Sequence, residues 1–248
     1  MSSAQIDTQW LVLARCAGFV FRAPGFSHPA VPPPLRAGFA YALSLAFARA
    51  RAGDAAPRAV AHADGGFVFA LASEVLLGAA VGVAASMLYD GAYAGGRALD
   101  DYVGIRASVP SADVAAGAGF GRLWSLAFGT AFFAFGGYAP ALLAFGATFD
   151  AVPPGALVAA AGLRTFAVAL PATLVRAAIF VAGPAIAIAF VAQAGLAIVS
   201  RLVPRFATFT LAFPVVFACV VLATLAALPP ALRAAATPWM DLSPLRAR

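Results

Sequence analysis

Long apolar runs constrain this chain more strongly than any other feature of its sequence. Residues 67–89 alone are long enough for a bilayer-crossing helix, which needs about 20 apolar residues. Hydrophobic residues make up 63% of the 248 residues and charged residues only 10%, whereas a soluble domain carries about 25% charge. Such a chain cannot cover itself with polar surface. We therefore predict a polytopic membrane protein of the all-α class, folded as a single helical domain over residues 1–248.

Six apolar runs are candidate helices, at residues 10–21, 35–50, 67–89, 123–149, 166–199 and 207–228. The fifth run contains Pro171 and Pro184 and is too long for one plain helix, so we expect it to form two. Pro229 and Pro230 should end the sixth run. The arginines divide evenly between the two sides that six spans would create. The excess of positive charge that usually orients a membrane protein is therefore missing.

The longest polar stretch follows the third run and covers residues 90–120. Its second half, GIRASVPSADVAAGAGFG, is too rich in glycine, serine and proline to form a firm helix. We therefore predict that a long loop leaves the membrane-spanning part of the chain at Asp90.

The polar residues do not form a recognisable catalytic or metal site. There are only ten acidic residues, and no Ser-His-Asp set, HExxH, Walker loop or GxGxxG is present. Asp100 and Asp101 are adjacent, so on a helix they point about 100° apart and do not face each other as a catalytic pair would. Single, scattered arginines do not form a nucleic-acid-binding patch. We expect no enzymatic activity, no catalytic residue, no cofactor, no metal and no nucleic-acid partner.

One helix face carries small residues beside the only glutamate of the chain. Glu74, Gly78 and Gly82 are spaced four residues apart in EVLLGAAVG, so they share a helix face on which glycine lets another backbone approach closely. We predict that this face packs against a neighbouring helix.

Three polar side chains lie within the apolar runs of the second half of the chain or beside them. Gln193 could bond to a neighbouring helix or line a transport pathway. Arg164 and Arg176 each need a carboxylate or a backbone carbonyl as a partner. Because this chain has few acids to offer, a partner on another subunit is one expectation for these arginines.

The stretch SRLVPRFATFTLAFP, residues 200–214, resembles the late signature of the FliR/SctT family. This family is the export-apparatus subunit shared by bacterial flagella and type III secretion injectisomes. The match rests on Arg201, Pro204, Phe209 and Pro214, with Arg205 at a position where glutamine is usual.

Three further places agree with the family in order and spacing over roughly residues 10–228. VPPPLRAGFAYALSLAFA resembles its early link and small-residue helix, and EVLLGAAVG resembles the start of its third helix. AGGRALDDYVGIRAS resembles the run that follows, with Gly96, Asp101 and Gly104 in place. Asp101 followed by Gly104 is closer to injectisome members than to flagellar ones.

The resemblance implies a subunit of an export gate in the inner membrane of a Gram-negative bacterium. Its partners would be SctR/FliP-like, SctS/FliQ-like and SctU/FlhB-like membrane subunits, together with membrane lipid. Its helices would form bent hairpins around a pore, through which secreted proteins pass unfolded.

The resemblance also implies roles for individual residues. The loop after the third run would form part of a plug that keeps the pore shut. Its candidate residues are Asp100, Asp101, Gly104, Arg106, Pro110 and Asp113. The late signature would form a helical hairpin and its subunit contacts. Its candidate residues are Gln193, Arg201, Pro204, Arg205, Phe209 and Pro214.

Two other functions remain open on the sequence alone. Helices broken at Pro171 and Pro184, with Gln193 in the middle of the same run, are features that solute transporters or permease subunits use to build binding sites. A purely structural scaffold without contact to a pore is the second alternative.

Overall fold

The computed structural model describes residues 3–27, 31–50, 66–104, 119–156, 160–202 and 208–234. Within these ranges the chain forms seven helices and no strand, which confirms the predicted all-α class. The helices are α1 (Ser3–Arg22), α2 (Pro33–Ala50), α3 (Gly66–Val103), α4 (Phe120–Ala134), α5 (Tyr138–Ala151), α6 (Ala160–Leu202) and α7 (Thr208–Arg233).

Three of the helices are long and apolar enough to cross a membrane. They are α3, the Arg164–Leu202 part of α6 and the Ala212–Arg233 part of α7. The pair α4 and α5 would form a fourth span if taken together, although a bend of 74° separates the two helices. At this bend Gly136 has φ of 76°, a left-handed conformation that glycine adopts without steric cost.

Helix α3 is longer than the sequence pattern indicated. The prediction that a loop begins at Asp90 is wrong, because the helix continues to Val103. Small residues support this extension. A Cβ placed on Gly91 would lie 2.5 Å from Cβ of Ala177 in α6, and one on Gly95 would lie 2.8 Å from the carbonyl oxygen of Ala178. This close packing of two helices outweighs the weak helix propensity of the glycines.

The prolines of the late helices do not end them. α6 runs unbroken through Pro171 and Pro184, so the prediction of two helices is wrong. α7 runs through Pro229 and Pro230 to Arg233, so the predicted end of the sixth run is also wrong. A proline removes one backbone hydrogen bond, but neighbouring turns and helices keep the remainder of a long apolar helix in place.

The contacts divide the chain into two compact units. Unit 1 is formed mainly by Met1–Met87 and Gly136–Pro171, and unit 2 by Leu88–Phe135 and Ala172–Thr237. Helices α3 and α6 each contribute residues to both units.

The core of unit 1 is an aromatic cluster between α1, α2 and α5. Phe19 stacks on Phe145 with ring centroids 4.5 Å apart. Phe47 meets the same ring edge-on at 5.4 Å and lies 5.3 Å from Phe149. These contacts fix the C-terminal half of α5 against α1.

Helices α1 and α3 approach each other through glycine. A Cβ on Gly78 of α3 would overlap the carbonyl group of Arg15, and a Cβ on Gly82 would lie 2.7 Å from the carbonyl oxygen of Phe19. Gly18 of α1 meets the backbone of Val75 in the same way. The two backbones therefore touch with no side chain between them.

This contact predicts that Gly78→Ala destabilises unit 1. The added methyl group would collide with the backbone of Arg15, so α1 and α3 must separate. We expect a cost of roughly 1–3 kcal/mol and a lower midpoint of thermal unfolding in detergent.

Gly38→Ala in α2 is the matched control, because a Cβ at that position meets nothing within 4 Å. It should leave the midpoint unchanged or raise it, since alanine favours helices over glycine by about 0.5–1 kcal/mol. Equal midpoints for the two variants would contradict the close contact.

Candidate functional site

A buried ion pair connects α1 and α3 in unit 1. Nε of Arg15 donates to Oε2 of Glu74 at 2.5 Å, and the two side chains are 0% and 1% exposed. A buried charge is tolerated only when it is paired and hydrogen-bonded. These two charges therefore depend on each other.

Arg15 also binds the C-terminal end of α5. Nη1 of Arg15 donates to the carbonyl oxygen of Thr148 at 3.0 Å, and Nη2 donates to that of Val152 at 2.9 Å. The guanidinium carbon lies 4.3 Å from the centre of the Phe149 ring. The last carbonyls of a helix lack partners within the helix and carry partial negative charge, so they suit a guanidinium group.

Glu74 completes the connection through its second oxygen. Oε1 accepts a hydrogen bond from the backbone N–H of Gly155 at 2.9 Å. One ion pair thus joins α1, α3, the end of α5 and the turn that follows α5. We call these contacts the Arg15–Glu74 clamp.

The predicted packing face of α3 lies against α1. Glu74 and Gly78 both meet Arg15, one through its side chain and the other through its backbone. The close approach at Gly78 and Gly82 brings the guanidinium within reach of the carboxylate. The sequence did not reveal this pairing, although Arg15 and Glu74 are each an isolated charge in an apolar run.

Cys16 lies next to the clamp in the same core. Its side chain is 0% exposed, and burial raises the pKa of Cys16 to about 12. The thiol therefore behaves as a small apolar group that reacts poorly while α1 is in place.

A second buried carboxylate lies in unit 2. Asp100 belongs to α3, is 1% exposed, and accepts hydrogen bonds from the first N–H groups of α4. Its Oδ1 lies 2.7 Å from N of Phe120, and Oδ2 lies 3.2 Å from N of Gly121. A carboxylate stabilises the N-terminus of a helix in this position.

Glycine is required where Asp100 meets α4. Gly119 has φ of 106°, and a Cβ there would lie 2.5 Å from Oδ2 of Asp100. At the end of α3, Gly104 has φ of 83° and its N–H donates to the carbonyl oxygen of Asp100 at 3.1 Å. Residues on both sides of the segment 105–118 therefore bond to the same aspartate.

The predicted plug residues divide into two groups. Asp100 and Asp101 are helical residues of α3, Asp101 being exposed, and Gly104 follows in the turn after the helix. Arg106, Pro110 and Asp113 lie outside the described residues. Asp100 therefore bonds to residues before and after the segment 105–118, a role that its place in a polar stretch did not indicate.

The residues of the predicted hairpin lie on two helices. Gln193 is half-buried on α6, Arg201 is exposed in its last turn, and Pro214 is exposed on α7. Phe209 is in the first turn of α7, with its side chain outside the described set. Pro204 and Arg205, between the two helices, lie outside the described residues as well.

Arg176 is a charged residue within the apolar helix α6. Its side chain is exposed on α6, and among the residues that the structure describes it forms no hydrogen bond or ion pair. Arg164 is also exposed. Within the described part of the chain, no three His, Cys, Asp or Glu side chains lie close enough to hold a metal ion.

The clamp predicts a large effect of Glu74→Gln on stability. The substitution leaves a buried guanidinium without its counter-charge, which typically costs about 3–5 kcal/mol. We expect a clear fall in the midpoint of thermal unfolding. Asp101→Asn, which changes an exposed carboxylate of the same helix, is the control and should cost at most about 1 kcal/mol, because interactions of exposed charges contribute little to stability.

A double substitution tests whether the loss comes from the unpaired charge. Arg15→Met combined with Glu74→Leu removes both charges and should recover much of the stability lost in Glu74→Gln, because apolar residues can replace a buried ion pair. If the double variant is no more stable than Glu74→Gln, the unpaired charge is not the cause.

Comparison with known proteins identifies the family of the chain. A search among curated proteins found no match to the chain. The family model described as bacterial export proteins, family 1, matches residues 6–241. This match covers nearly all of the sequence, including both units and the clamp. The chain therefore belongs to bacterial export protein family 1, the FliR/SctT family of the type III export apparatus.

Proposed function

We propose that this chain is a non-enzymatic subunit of the type III export gate. It would assemble with SctR/FliP-like and SctS/FliQ-like subunits, beside an SctU/FlhB-like subunit, in the inner membrane of a Gram-negative bacterium. The complex would form the pore through which unfolded proteins are exported. Family membership supports the export role, and the exposed surface of α6 supports the assembly.

The exposed surface of α6 is the observation that carries this proposal. The helix has 43 residues, so it is about 65 Å long, roughly twice the thickness of a bilayer core. Only 28% of its most apolar stretch is buried inside the chain. Large exposed side chains cover the unit 2 part, namely Val175, Ile179, Phe180, Phe190, Val191 and Ile198. A bilayer covers about half of this length, so protein partners are needed for the remainder.

Arg176 indicates the chemistry of one such partner. An arginine facing lipid at the centre of a span costs about 2.5–3.5 kcal/mol on insertion scales. A carboxylate on a neighbouring subunit would remove this cost and fix the register of the contact. We therefore propose that Arg176 pairs with an acidic side chain of a partner helix.

The loop between α3 and α4 is our candidate for the pore plug. Asp100 bonds to residues on both sides of the segment 105–118, so one residue holds the described residues at both of its ends. A loop held in this way can block a pore without loosening the helices that carry it.

The assembly is tested by Arg176→Glu in the tagged full-length chain, extracted from its native host in mild detergent. The wild-type chain should co-purify with other small hydrophobic proteins in a fixed ratio, as measured by mass spectrometry. Arg176→Glu should lower the yield of this complex at least several-fold through like-charge repulsion, while the chain remains in the membrane fraction.

Arg233→Glu is the matched control, because Arg233 is exposed in the last turn of α7, near the end of a span rather than within one. It should leave the yield unchanged. A wild-type chain that purifies alone would contradict the export-gate proposal. Equal yields of wild type and Arg176→Glu would contradict only the role of Arg176.

The plug is tested by deleting residues 107–117. Because the deletion leaves Asp100, Gly104 and Gly119 in place, the complex should still assemble. Cells that carry it should leak ions and small solutes. Unchanged permeability, with the complex shown to be assembled, would exclude a plug in this loop and favour a scaffold role.

A further inference from the structure

We propose that unit 2 contains a binding site for a single water molecule, held by Trp124 and Thr224. The site is a small cavity between three helices. Trp124 of α4 forms one wall, Val181 and Ala185 of α6 form another, and Thr224 and Leu228 of α7 complete it.

Two buried polar atoms mark this cavity. Trp124 is 1% exposed and Thr224 is 7% exposed. Within the described residues, neither Nε1 of Trp124 nor Oγ1 of Thr224 has a hydrogen-bond partner in the protein. A buried polar group without any partner costs about 1–3 kcal/mol. Because Trp124 and Thr224 line the same cavity, one ligand there could bond to both groups.

The hydroxyl of Thr224 differs from those of Ser125, Thr130 and Ser200 in the same unit. Ser and Thr side chains in helices commonly donate to the carbonyl oxygen three or four residues earlier. Thr130 donates to Leu126 at 2.9 Å, Ser125 to Arg122 at 2.9 Å, and Ser200 to Ala197 at 2.8 Å. Thr224 makes no such bond, so its hydroxyl is available to the cavity.

The size of the cavity limits the ligand to water. The space open to the centre of a water molecule is about 10 Å³, which is close to the minimum for one buried water. The remaining lining residues are apolar, so no charged group is present to hold an ion.

The bonding pattern also suits water. The indole N–H of Trp124 can only donate, so it requires an acceptor such as the water oxygen. The hydroxyl of Thr224 can accept a hydrogen from the same molecule or donate to it. The water thus joins α4 to α7 where the two side chains do not reach each other.

The site is tested by NMR on the full-length chain in lipid nanodiscs, with ¹⁵N-labelled tryptophan indoles. Trp124→Phe assigns the resonance of Trp124. We expect a direct cross-peak between its indole proton and water in the wild type and in Thr224→Ser. In Thr224→Val, which has the same shape but no hydroxyl, the cross-peak should fall at least several-fold.

The midpoint of thermal unfolding gives a second test. Thr224→Val should lower it if the hydroxyl is bonded to water, and raise it if the hydroxyl has no partner. If water bonds to the hydroxyl, Thr224→Val leaves the indole N–H and the water with too few hydrogen bonds, so the midpoint falls. Thr224→Ser keeps the hydroxyl, so its midpoint should stay closer to that of the wild type. If the hydroxyl has no partner, the valine removes a buried unpaired group and the midpoint rises. A wild-type indole proton without a water cross-peak, or a midpoint raised by Thr224→Val, would overturn the proposal.

Discussion

The Arg15–Glu74 clamp is the interaction on which unit 1 depends. It joins two helices, the end of a third and the following turn through two side chains, both almost fully buried. Buried ion pairs add little net stability, but they are costly to break, so they strongly disfavour any arrangement that separates the partners. Any sliding of α1 along α3 would do so. The clamp therefore selects one register of α1 against α3.

Glycine brings the two helices of the clamp together. The backbones of α1 and α3 touch at Gly18, Gly78 and Gly82, and the guanidinium of one helix meets the carboxylate of the other beside this contact. In unit 2, Gly91 and Gly95 of α3 allow the same close approach to the backbone of α6. Because lipid and core are equally apolar, close packing and hydrogen bonds, rather than burial of apolar surface, hold such helices together.

Asp100 connects the end of α3 to the start of α4. Its carboxylate accepts from the start of α4, while its carbonyl oxygen accepts from Gly104 at the end of α3. A single residue thus fixes the end of one helix and the start of the next.

The sequence predicted the helical membrane-protein class and the family, because composition and the order of short signatures carry that information. The sequence did not correctly predict where the long helices end. α3 continues past Asp90 because Gly91 and Gly95 pack on α6, a contact between residues far apart in the chain. α6 continues past Pro171 and Pro184 because length and packing outweigh the loss of single hydrogen bonds. The pairing of Arg15 with Glu74 was missed for a similar reason, since it depends on how closely two helices approach.

The most direct test of the clamp uses Cys16, which lies beside it. In a Cys219→Ala chain, Cys16 is the only thiol, and its burial and its pKa of about 12 should protect it from maleimide at neutral pH. The account predicts that Glu74→Gln releases α1 and makes Cys16 react at least several-fold faster. Cys219 in a Cys16→Ala chain should react at the same rate with or without Glu74→Gln. If Cys16 stays equally protected after Glu74→Gln, the ion pair does not hold α1 in place.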